Sequence, residues 1–489
     1  METSMKLRQL LQDITILDMN ADLEMEISGV CYDSREAKPG DLFVAVRGFE
    51  ADGHRFIPDA VKKGAVAVLC ETAPETDVPW VRTDDCRLGL ALVSRAWFGN
   101  PAGEMKIIGF TGTSGKTSST YILKHLLESA LGAKVGLIGT NGNMIGEKQF
   151  HTERTTPESY ELQKLFRQMA DEGCSHVVME VSSHSLALER VAGITFDVAV
   201  FTNLSQDHLD LHGTMAEYAA AKKKIFSQCR IGCINADDEQ AGFMAQGDRC
   251  PIFTYSAKSN DADLIAKDIR LNAAGVRFAA VKGEEIALTR FAVPGVFSVY
   301  NALSVMAAGL CLGISLSACA EGISTAKGVK GRMESVPTDG DYSVIIDYSH
   351  KPDALEKALK TLRPVTRGRL IVLFGCGGDR DKGKRPIMGR IAEQNADFCI
   401  VTSDNPRTED PMAIIDEILA GMKNSRSQVK MICDRVEAIH WAIDNAAAGD
   451  VILLAGKGHE DYQEVGHEKH HMDERELVAE YLEKRKNAR

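Results

Sequence analysis

The chain has 489 residues, enough for about three domains. Asp plus Glu (69) outnumber Lys plus Arg (57) for a formal net charge of −12, so a basic footprint for non-specific nucleic-acid binding is absent, although single loops can still gather positive charge around an anionic ligand. No apolar run reaches the ~20 residues of a membrane span, the N-terminus METSMKLRQLLQDITIL lacks a signal-peptide pattern, and the 12 cysteines follow no disulfide rhythm, with Cys229 and Cys233 alone in a C-x3-C, so free thiols in the cytoplasm are expected.

Three blocks follow one another without repeats or low-complexity tracts. The first, residues 1–103, opens with a short amphipathic helix. KPGDLFVAVRG then alternates apolar and polar residues after a Pro-Gly turn, as a strand does. VKKGAVAVLC reads as a helix end, a Gly stop and a buried strand, and Asn100-Pro101 followed by Gly103 as a linker. The second block, 104–335, starts with the apolar strand MKIIGF, a Gly-rich loop and a helix over about 116–131. Strands AKVGLIG, SHVVMEV and FDVAVFTN alternate with helices such as PESYELQKLFRQMADEG, which has Pro at its start and Gly at its end. That alternation predicts a mostly parallel α/β sheet covered on both faces. VRFAAVKGEEIALTRFAV predicts an antiparallel appendage before the helix VYNALSVMAAGLCLG. The third block, 336–489, repeats the α/β pattern with DYSVIIDYS, GRLIVLFG, DFCIVTS and DVILLAG, a second doubly wound domain. Its strands end in GCGGDRD, SDNPR and GKGHE, and ligands in such sheets gather beyond the carboxyl ends of strands.

Residues 109–117, GFTGTSGKT, join a strand to a helix. Glycines let backbone N–H groups curl around phosphate oxygens, and the helix N-terminus favours an anion. In such a loop Lys116 reaches the β- and γ-phosphates and the Thr117 hydroxyl ligates Mg2+. The usual first Gly is replaced by Phe110, which makes this a T-G-T-x-G-K-T variant. Alone, the loop indicates a nucleoside triphosphate and no more.

Two further strand ends carry polar groups. EVSSH (180–184) and TNLSQDHLD (202–210) place Glu180 and His208 on the rim that holds the loop, where a carboxylate and an imidazole can bind Mg2+. A lone His is more often a satisfied surface or core residue, but His208 stands beside Asp207 and Asp210. In MAEYAAAKKKIFSQC, Lys222 is four after Tyr218 and four before Phe226, so it shares their inward face, while Lys223 and Lys224 point elsewhere. An inward Lys is costly unless paired, modified or functional; snorkelling is the other reading. His467, His470 and His471 in VGHEKHHMDERE are expected in a solvated loop before the last helix rather than a metal cluster, and Cys376 is expected to be structural.

Together these motifs resemble the Mur ligases, ATP-dependent amino-acid ligases of peptidoglycan precursor synthesis. The matching segments are TGTSGKTS, RTTPE, EVSSHSLALER, FTNLSQDHLD, the Tyr-x-x-x-Lys helix ending at Lys222, YNALSVMAA, GRME, DYSHKPDAL, FGCGGDRDKGKRP, SDNPR and GKGHEDYQ, in order through all three blocks. The resemblance implies a UDP-binding α/β domain (1–103), a central P-loop ATPase-like parallel sheet (104–335) and a Rossmann-like amino-acid-binding domain (336–489). It assigns Gly112, Thr113, Ser114, Gly115, Lys116, Thr117 and Ser118 to ATP, with Asn301, Arg332 and Asp347 also holding the nucleotide. Lys116, Lys222, His208 and Glu180 become the catalytic set, and Thr117, Glu180, His208 and Lys222 the metal set. Lys222 matches a carbamylated lysine whose added carboxylate becomes a metal ligand or oriented anion. Thr155, Thr156, Ser182 and Arg190 match contacts to the acceptor dipeptide, and Ser34 in YDSRE a uridine-side contact. Arg380, Asp404, Asn405, Pro406, Arg407, Gly456 and Glu460 match contacts to the incoming amino acid. Some relatives place Gln where Leu188 stands.

The implied substrates are UDP-N-acetylmuramoyl-L-alanyl-D-glutamate and meso-diaminopimelate, with ATP and Mg2+, for a cytoplasmic monomer with no nucleic-acid partner. The chemistry is coherent. A carboxylate is a poor acyl donor until the γ-phosphoryl group is transferred to it, and Lys116 with Mg2+ would offset the repulsion between carboxylate and ATP. Diaminopimelate differs from lysine by one distal carboxylate, which Arg407 can bind bidentately while repelling a side chain that ends in ammonium alone. A folylpolyglutamate synthetase is the alternative within the fold, disfavoured by the N-terminal block and DNPR; a P-loop switch protein is the alternative outside it.

Overall fold

The structure, a computed structural model, describes residues 4–48, 51–247, 250–423 and 428–487. It has two compact units, Met1–Leu264 with Ser304–Ser315 and Ile265–Leu303 with Leu316–Arg489.

In the first unit, residues before 100 form a five-stranded sheet in the order Asp18–Met19, Trp80–Arg82, Ala67–Cys70, Asp41–Val44, Gly29–Cys31. KPGDLFVAVRG does form a strand, but all of Asp41–Val44 is buried rather than every second residue. It lies parallel between two neighbours, with Leu42 and Val44 in one core and Phe43 and Ala45 in another, so both faces are covered. Gly64, at φ 110°, breaks the helix Ile57–Lys62 from the strand Ala67–Cys70. The expected linker is a 3-10 turn, Pro101–Glu104, entered through Asn100 in the left-handed region at φ 53°.

The rest of this unit is built on six parallel strands in the order Val135–Ile138, His176–Glu180, Lys106–Thr111, Phe196–Phe201, Cys229–Asn235, Ile252–Ser256. The hairpin Asn143–Ile145 and Lys148–Phe150 adds an antiparallel edge. Lys106–Thr111 is central: Glu180 pairs with Phe110 on one side and Phe201 with Thr111 on the other. Three strand ends therefore open side by side. Helix Lys116–Leu131 follows the first of them and stops at Gly132, φ 61°.

The second unit contains a three-stranded antiparallel sheet ending in Gly275–Lys282 and Glu285–Phe291, packed against helix Leu316–Thr325. Its larger sheet runs Glu334–Val336, Ser343–Asp347, Val451–Ala455, Leu370–Phe374, Phe398–Val401, Gln428–Met431, parallel from the second strand on. From Leu370–Phe374 the chain moves outward to the next two strands, then returns to the other side as Val451–Ala455. That reversal of order opens a crevice at the carboxyl ends of these two strands, where GCGGDRD and GKGHE begin.

The His467–His471 region departs from expectation. It is a β-hairpin, Tyr462–Val465 with Glu468–His471, joined by a Gly466-His467 turn with Gly466 at φ 61°. Among the described residues no group of three His, Cys, Asp or Glu side chains is arranged to hold a metal, and no helix is long and apolar enough to cross a membrane. Cys233 lies 3.6 Å from Cys311 rather than beside Cys229, and Cys376 is buried against Met388 with its thiol pushed up to about 12 by desolvation.

Candidate active site

The phosphate loop is held open by its neighbours. Gly112, at φ 145°, sits against Thr202, whose Oγ1 would lie 2.0 Å from any added Cβ. Asn203 ties the loop from both directions: its Oδ1 accepts from Ser114 N at 3.0 Å and its Nδ2 donates to Ser114 O at 2.9 Å. Thr113 N donates to Asn203 O at 2.9 Å, and Thr113 Oγ1 shares a hydrogen bond of 3.1 Å with the Tyr218 hydroxyl. Gly115 at φ 87° then turns the chain into the helix.

Two ammonium groups converge on this loop. Lys116 Nζ donates to Gly112 O at 2.8 Å and Thr113 O at 3.1 Å; Lys222 Nζ donates to the same Gly112 O at 2.8 Å. Among the described residues neither has a carboxylate within ion-pair distance. Burial pushes Lys116 below the usual lysine range, with Glu180 and Asp207 opposing. Lys222 is 1% exposed and pushed down to about 6, first by desolvation and then by Lys116. Its Nζ also lies 4.5 Å from the Tyr218 ring centroid. Helix Met215–Lys223 gives Tyr218 and Lys222 one face, as their spacing requires; Phe226 follows in a 3-10 turn rather than the same α-helix.

Glu180 is locked beside Thr117, whose Oγ1 donates to Oε1 at 3.0 Å. Thr140 N and Oγ1 donate to the same carboxylate at 2.8 and 3.2 Å. Gly139 leaves room for it, since a Cβ there would stand 2.5 Å from Oε1. His208, at φ 51°, has its ring edge-on to His184 at 4.8 Å and 6.3 Å from Tyr218, with Nε2 3.5 Å from Asp207 Oδ2. The Asp210 side chain lies outside the described residues.

The residues expected at the acceptor form one chain of contacts leading from Glu180. Thr140 Oγ1 is 3.0 Å from Thr155 Oγ1, Thr156 Oγ1 donates to Glu180 O at 2.8 Å, and Ser182 N donates to Thr156 Oγ1 at 3.2 Å. Arg190 Nε donates to Glu158 at 3.1 Å, and burial lowers its pKa against that partner. Arg190 and Leu188 line a cavity of about 830 Å3 together with Ser34, Arg35, Phe43 and Arg87. Ser34 and Arg190, far apart in sequence, thus face one space.

In the second unit, Asp347 is buried, accepts from Met333 N at 2.8 Å and from the Ser349 hydroxyl, and is raised by desolvation against those bonds. Arg332 lies over the Tyr348 ring at 5.4 Å. Asn301 is buried in helix Val296–Cys311. At the carboxyl ends of the sheet, Asn405 Nδ2 donates to Glu460 Oε2 at 3.0 Å. The fully buried Lys457 donates to Asn405 Oδ1 at 2.9 Å and Glu460 at 3.2 Å. Gly456, at φ 116°, packs on Asp404, whose Oδ2 would be 2.7 Å from a Cβ. Arg407 donates from Nε to Glu464 at 2.8 Å and from Nη1 to Gly378 O at 2.8 Å. Arg380 is exposed on the GCGGDRD loop.

Family models match this chain over three segments: the Mur ligase family catalytic domain at residues 26–96, the Mur ligase middle domain at 110–309, and the Mur ligase glutamate ligase domain at 331–458. Over 471 residues, 95% of this chain and 96% of the relative, it is 47% identical to the UDP-N-acetylmuramoyl-L-alanyl-D-glutamate–2,6-diaminopimelate ligase of Caldanaerobacter subterraneus subsp. tengcongensis. The chain belongs to the Mur ligase family. A solved UDP-N-acetylmuramoyl-L-alanyl-D-glutamate–2,6-diaminopimelate ligase is 32% identical with a TM-score of 0.81, covering 99% of this chain and 100% of that one. A MurF ligase from Thermotoga maritima in complex with ADP shares the fold at 19% identity and a TM-score of 0.56, over 94% and 98% of the two chains.

Within this Mur ligase several supporting residues escaped the sequence reading. Asn203 and Lys457 lie inside quoted motifs, so their signal was present. Tyr218 looked like core, yet its hydroxyl meets the phosphate loop. Thr140 and Glu464 carry no local pattern, because their partners come from other strands.

Proposed function

We propose that this chain is the ATP-dependent ligase that joins meso-2,6-diaminopimelate to the D-glutamate of UDP-N-acetylmuramoyl-L-alanyl-D-glutamate, acting in the cytoplasm as a monomer in peptidoglycan precursor synthesis. Its domains are assigned as 1–103 for the UDP end, 104–335 for ATP and 336–489 for the amino acid. The reading rests on the convergence of Lys116 and Lys222 on one carbonyl of a triphosphate loop, with no carboxylate within ion-pair distance of either among the described residues. Two buried lysine amino groups that no carboxylate neutralises, Lys116 as the cation and Lys222 driven toward the free amine, suit a site that receives a triphosphate and a carboxylate together.

The acceptor's carboxylate attacks the γ-phosphorus of ATP; an O–P bond forms, the bond to the β-phosphate oxygen breaks, and ADP leaves. Lys116, drawn from the Gly112 and Thr113 carbonyls, would move to the transferring phosphoryl oxygens. Thr155, Thr156, Ser182 and Arg190 would orient the acceptor, with Ser34 toward the uridine end. Asn301, Arg332 and Asp347 would hold the nucleotide. The amine of diaminopimelate then attacks the acyl carbon, and phosphate departs with the C–O electron pair. Arg407, Arg380 and the Asp404–Pro406 turn would hold the distal end of the amino acid, and Glu460 beside Gly456 its ammonium group.

The oxygen donors suit Mg2+: the Thr117 hydroxyl and the Glu180 carboxylate are 3.0 Å apart, and hard oxygens are what this ion takes. Thr117 and Glu180, with His208, would hold it, and it would supply charge neutralisation when bound. A lysine amine is a poor ligand for so hard a cation, but a carbamate is an oxygen donor. With its pKa pushed down to about 6, Lys222 is a neutral amine at pH 7. Its lone pair can then attack CO2, one C=O electron pair moving to oxygen and the amine proton leaving to solvent.

The test is ADP release with Mg2+, with and without each substrate. Turnover is expected only when both the UDP-linked dipeptide and diaminopimelate are present. ATP hydrolysis at the full rate without the amino acid would overturn the reading.

A further inference from the structure

The hairpin Tyr462–Val465 and Glu468–His471 forms a wall of the amino-acid cluster. It makes five hydrogen bonds with the SDNPR loop: Gln463 Nε2 donates to Asp404 O (2.7 Å), Glu464 N to Asn405 Oδ1 (2.9 Å), Arg407 N to Glu464 O (3.1 Å), Gly466 N to Arg407 O (2.8 Å), and Arg407 Nε to Glu464 Oε2 (2.8 Å). Four of these involve backbone on the loop side or side-chain amide groups that survive a change at the Glu464 side chain. The fifth depends on its carboxylate alone.

Arg407 needs this support. Its φ of 50° lies in the left-handed region that non-glycine residues populate sparsely. A free Arg side chain on such a turn would sample many rotamers, and immobilising it on ligand binding would weaken the ligand's hold. Glu464 and the Gly378 carbonyl remove that freedom in advance. Of the five N–H donors of a guanidinium, one at Nε goes to Glu464 and one at Nη1 to Gly378. Three donors are left, one at Nη1 and two at Nη2, and the Nη1–Nη2 edge is the one that can take a carboxylate through two parallel bonds without displacing Glu464. Glu464 closes the alternative approach along Nε.

We propose that Glu464 is a positioning residue that sets the preference for diaminopimelate over lysine by fixing the Arg407 guanidinium end-on to the ligand. This rests on the reading that Arg407 meets the distal carboxylate. Two consequences of removing Glu464 oppose each other: the guanidinium loses its orientation, and an incoming carboxylate loses a like charge nearby. The pair is partly exposed, 20% for Arg407 and 24% for Glu464, so solvent weakens the charge effect while leaving the geometric one intact. Orientation therefore dominates. Because Arg407 touches only the group that lysine lacks, the effect belongs to one amino acid.

The experiment compares kcat/KM for diaminopimelate and for lysine in Glu464→Ala, Glu464→Gln, Glu464→Asp and Arg407→Ala, alone and combined, with KM for ATP and Tm measured alongside. Glu464→Ala should lower the diaminopimelate-to-lysine ratio about tenfold, since small misplacements of an orienting group cost that much or more. Glu464→Gln keeps an oxygen acceptor for Nε and should stay within about threefold of wild type. Glu464→Asp keeps the charge but is one methylene shorter, and should fall with Glu464→Ala. In the Arg407→Ala background Glu464→Ala should change the ratio no further, as expected of a residue acting through Arg407. A rise in the ratio for both Glu464→Gln and Glu464→Ala, or equal losses for both amino acids with a lowered Tm, overturns the proposal. So does an unchanged ratio in Glu464→Ala when Arg407→Ala lowers it. An unchanged ratio in Arg407→Ala overturns the underlying reading of Arg407 as well.

Discussion

The phosphate loop and the amino-acid cluster solve the same problem, placing charge at strand ends, in opposite ways. At the loop, Lys116 and Lys222 share the Gly112 carbonyl and burial depresses both. Around the cluster, among the described residues, the buried Lys457, Arg385 and Arg435 pair with Glu460, with Glu409 and Glu417, and with Glu474, and the partly exposed Arg407 pairs with Glu464. A site for a multiply charged anion gains from a cation such as Lys116 that no carboxylate has neutralised, and a lysine driven toward the free amine, as Lys222 is, adds no opposing salt bridge. A site proposed to distinguish two amino acids that differ by one distal carboxylate gains from fixed directions, which paired charges provide.

The largest effects are expected at the loop. Lys116→Ala removes the cation proposed to meet the transferring phosphoryl group and should lower kcat by ~10²–10³-fold, the size seen when one preorganised charge stabiliser is lost. Retention of more than a tenth of wild-type kcat would mean that Lys116 merely braces its own loop. Lys222→Ala should cost somewhat less, about 10²-fold. Short carboxylic acids added in solution should restore part of it by standing in for the proposed carbamate. Full activity in Lys222→Ala would leave that lysine a structural role, and loss in Lys223→Ala instead would place the functional lysine on the other face of the helix.

At the cluster the expected effects are smaller and selective. Losing one partner of a partly buried, charge-assisted pair costs about 2–5 kcal/mol, and ~1.4 kcal/mol is one decade. Arg407→Ala should therefore reduce kcat/KM for diaminopimelate by at least about tenfold and leave lysine use nearly unchanged or raised. Glu460→Ala should lower use of both, because Asn405, Lys457 and Tyr348 all lean on that carboxylate. A wild-type preference for lysine would remove diaminopimelate from the assignment without touching the ligase fold.

What was legible in the sequence follows the range of the interactions. The parallel sheets could be read because a strand buried on both faces is a run of apolar residues, and the inward placement of Lys222 because i,i+4 spacing is a local rule. The loop GFTGTSGKT could be read because its glycines and its helix start are adjacent. The hairpin at 462–471 was not, since its second strand, Glu468–His471, is exposed throughout and has the composition of a solvated loop. Nor was Glu464, whose meaning comes from an arginine 57 residues earlier. Thr140 was missed for the same reason: its backbone N–H finds Glu180 40 residues away, through strands that only the sheet order makes neighbours.

A further effect separates the two regions by stability rather than by turnover. Lys222 has a folded-state pKa of about 6 against an ordinary 10.5, so below pH 6 both folded and unfolded chains hold its proton and the folded state bears the full burden of a buried ammonium. Between those values only the unfolded chain holds it, and stability rises with pH, on the order of 1 kcal/mol per pH unit. The groups acting on Lys222 are Lys116, which lowers its pKa, and Asp207, which raises it, with the Tyr218 ring against the ammonium. Lys222→Met cannot titrate, so its gain in Tm over wild type should be largest near pH 6 and shrink toward pH 9 in CO2-free buffer. Arg407→Met serves as the comparison in the second region: it removes the donors to Glu464 and the Gly378 carbonyl and should lower Tm. A Lys222→Met difference that is flat between pH 6 and pH 9 would place the lysine's proton outside this range and remove the neutral amine on which the carbamate depends.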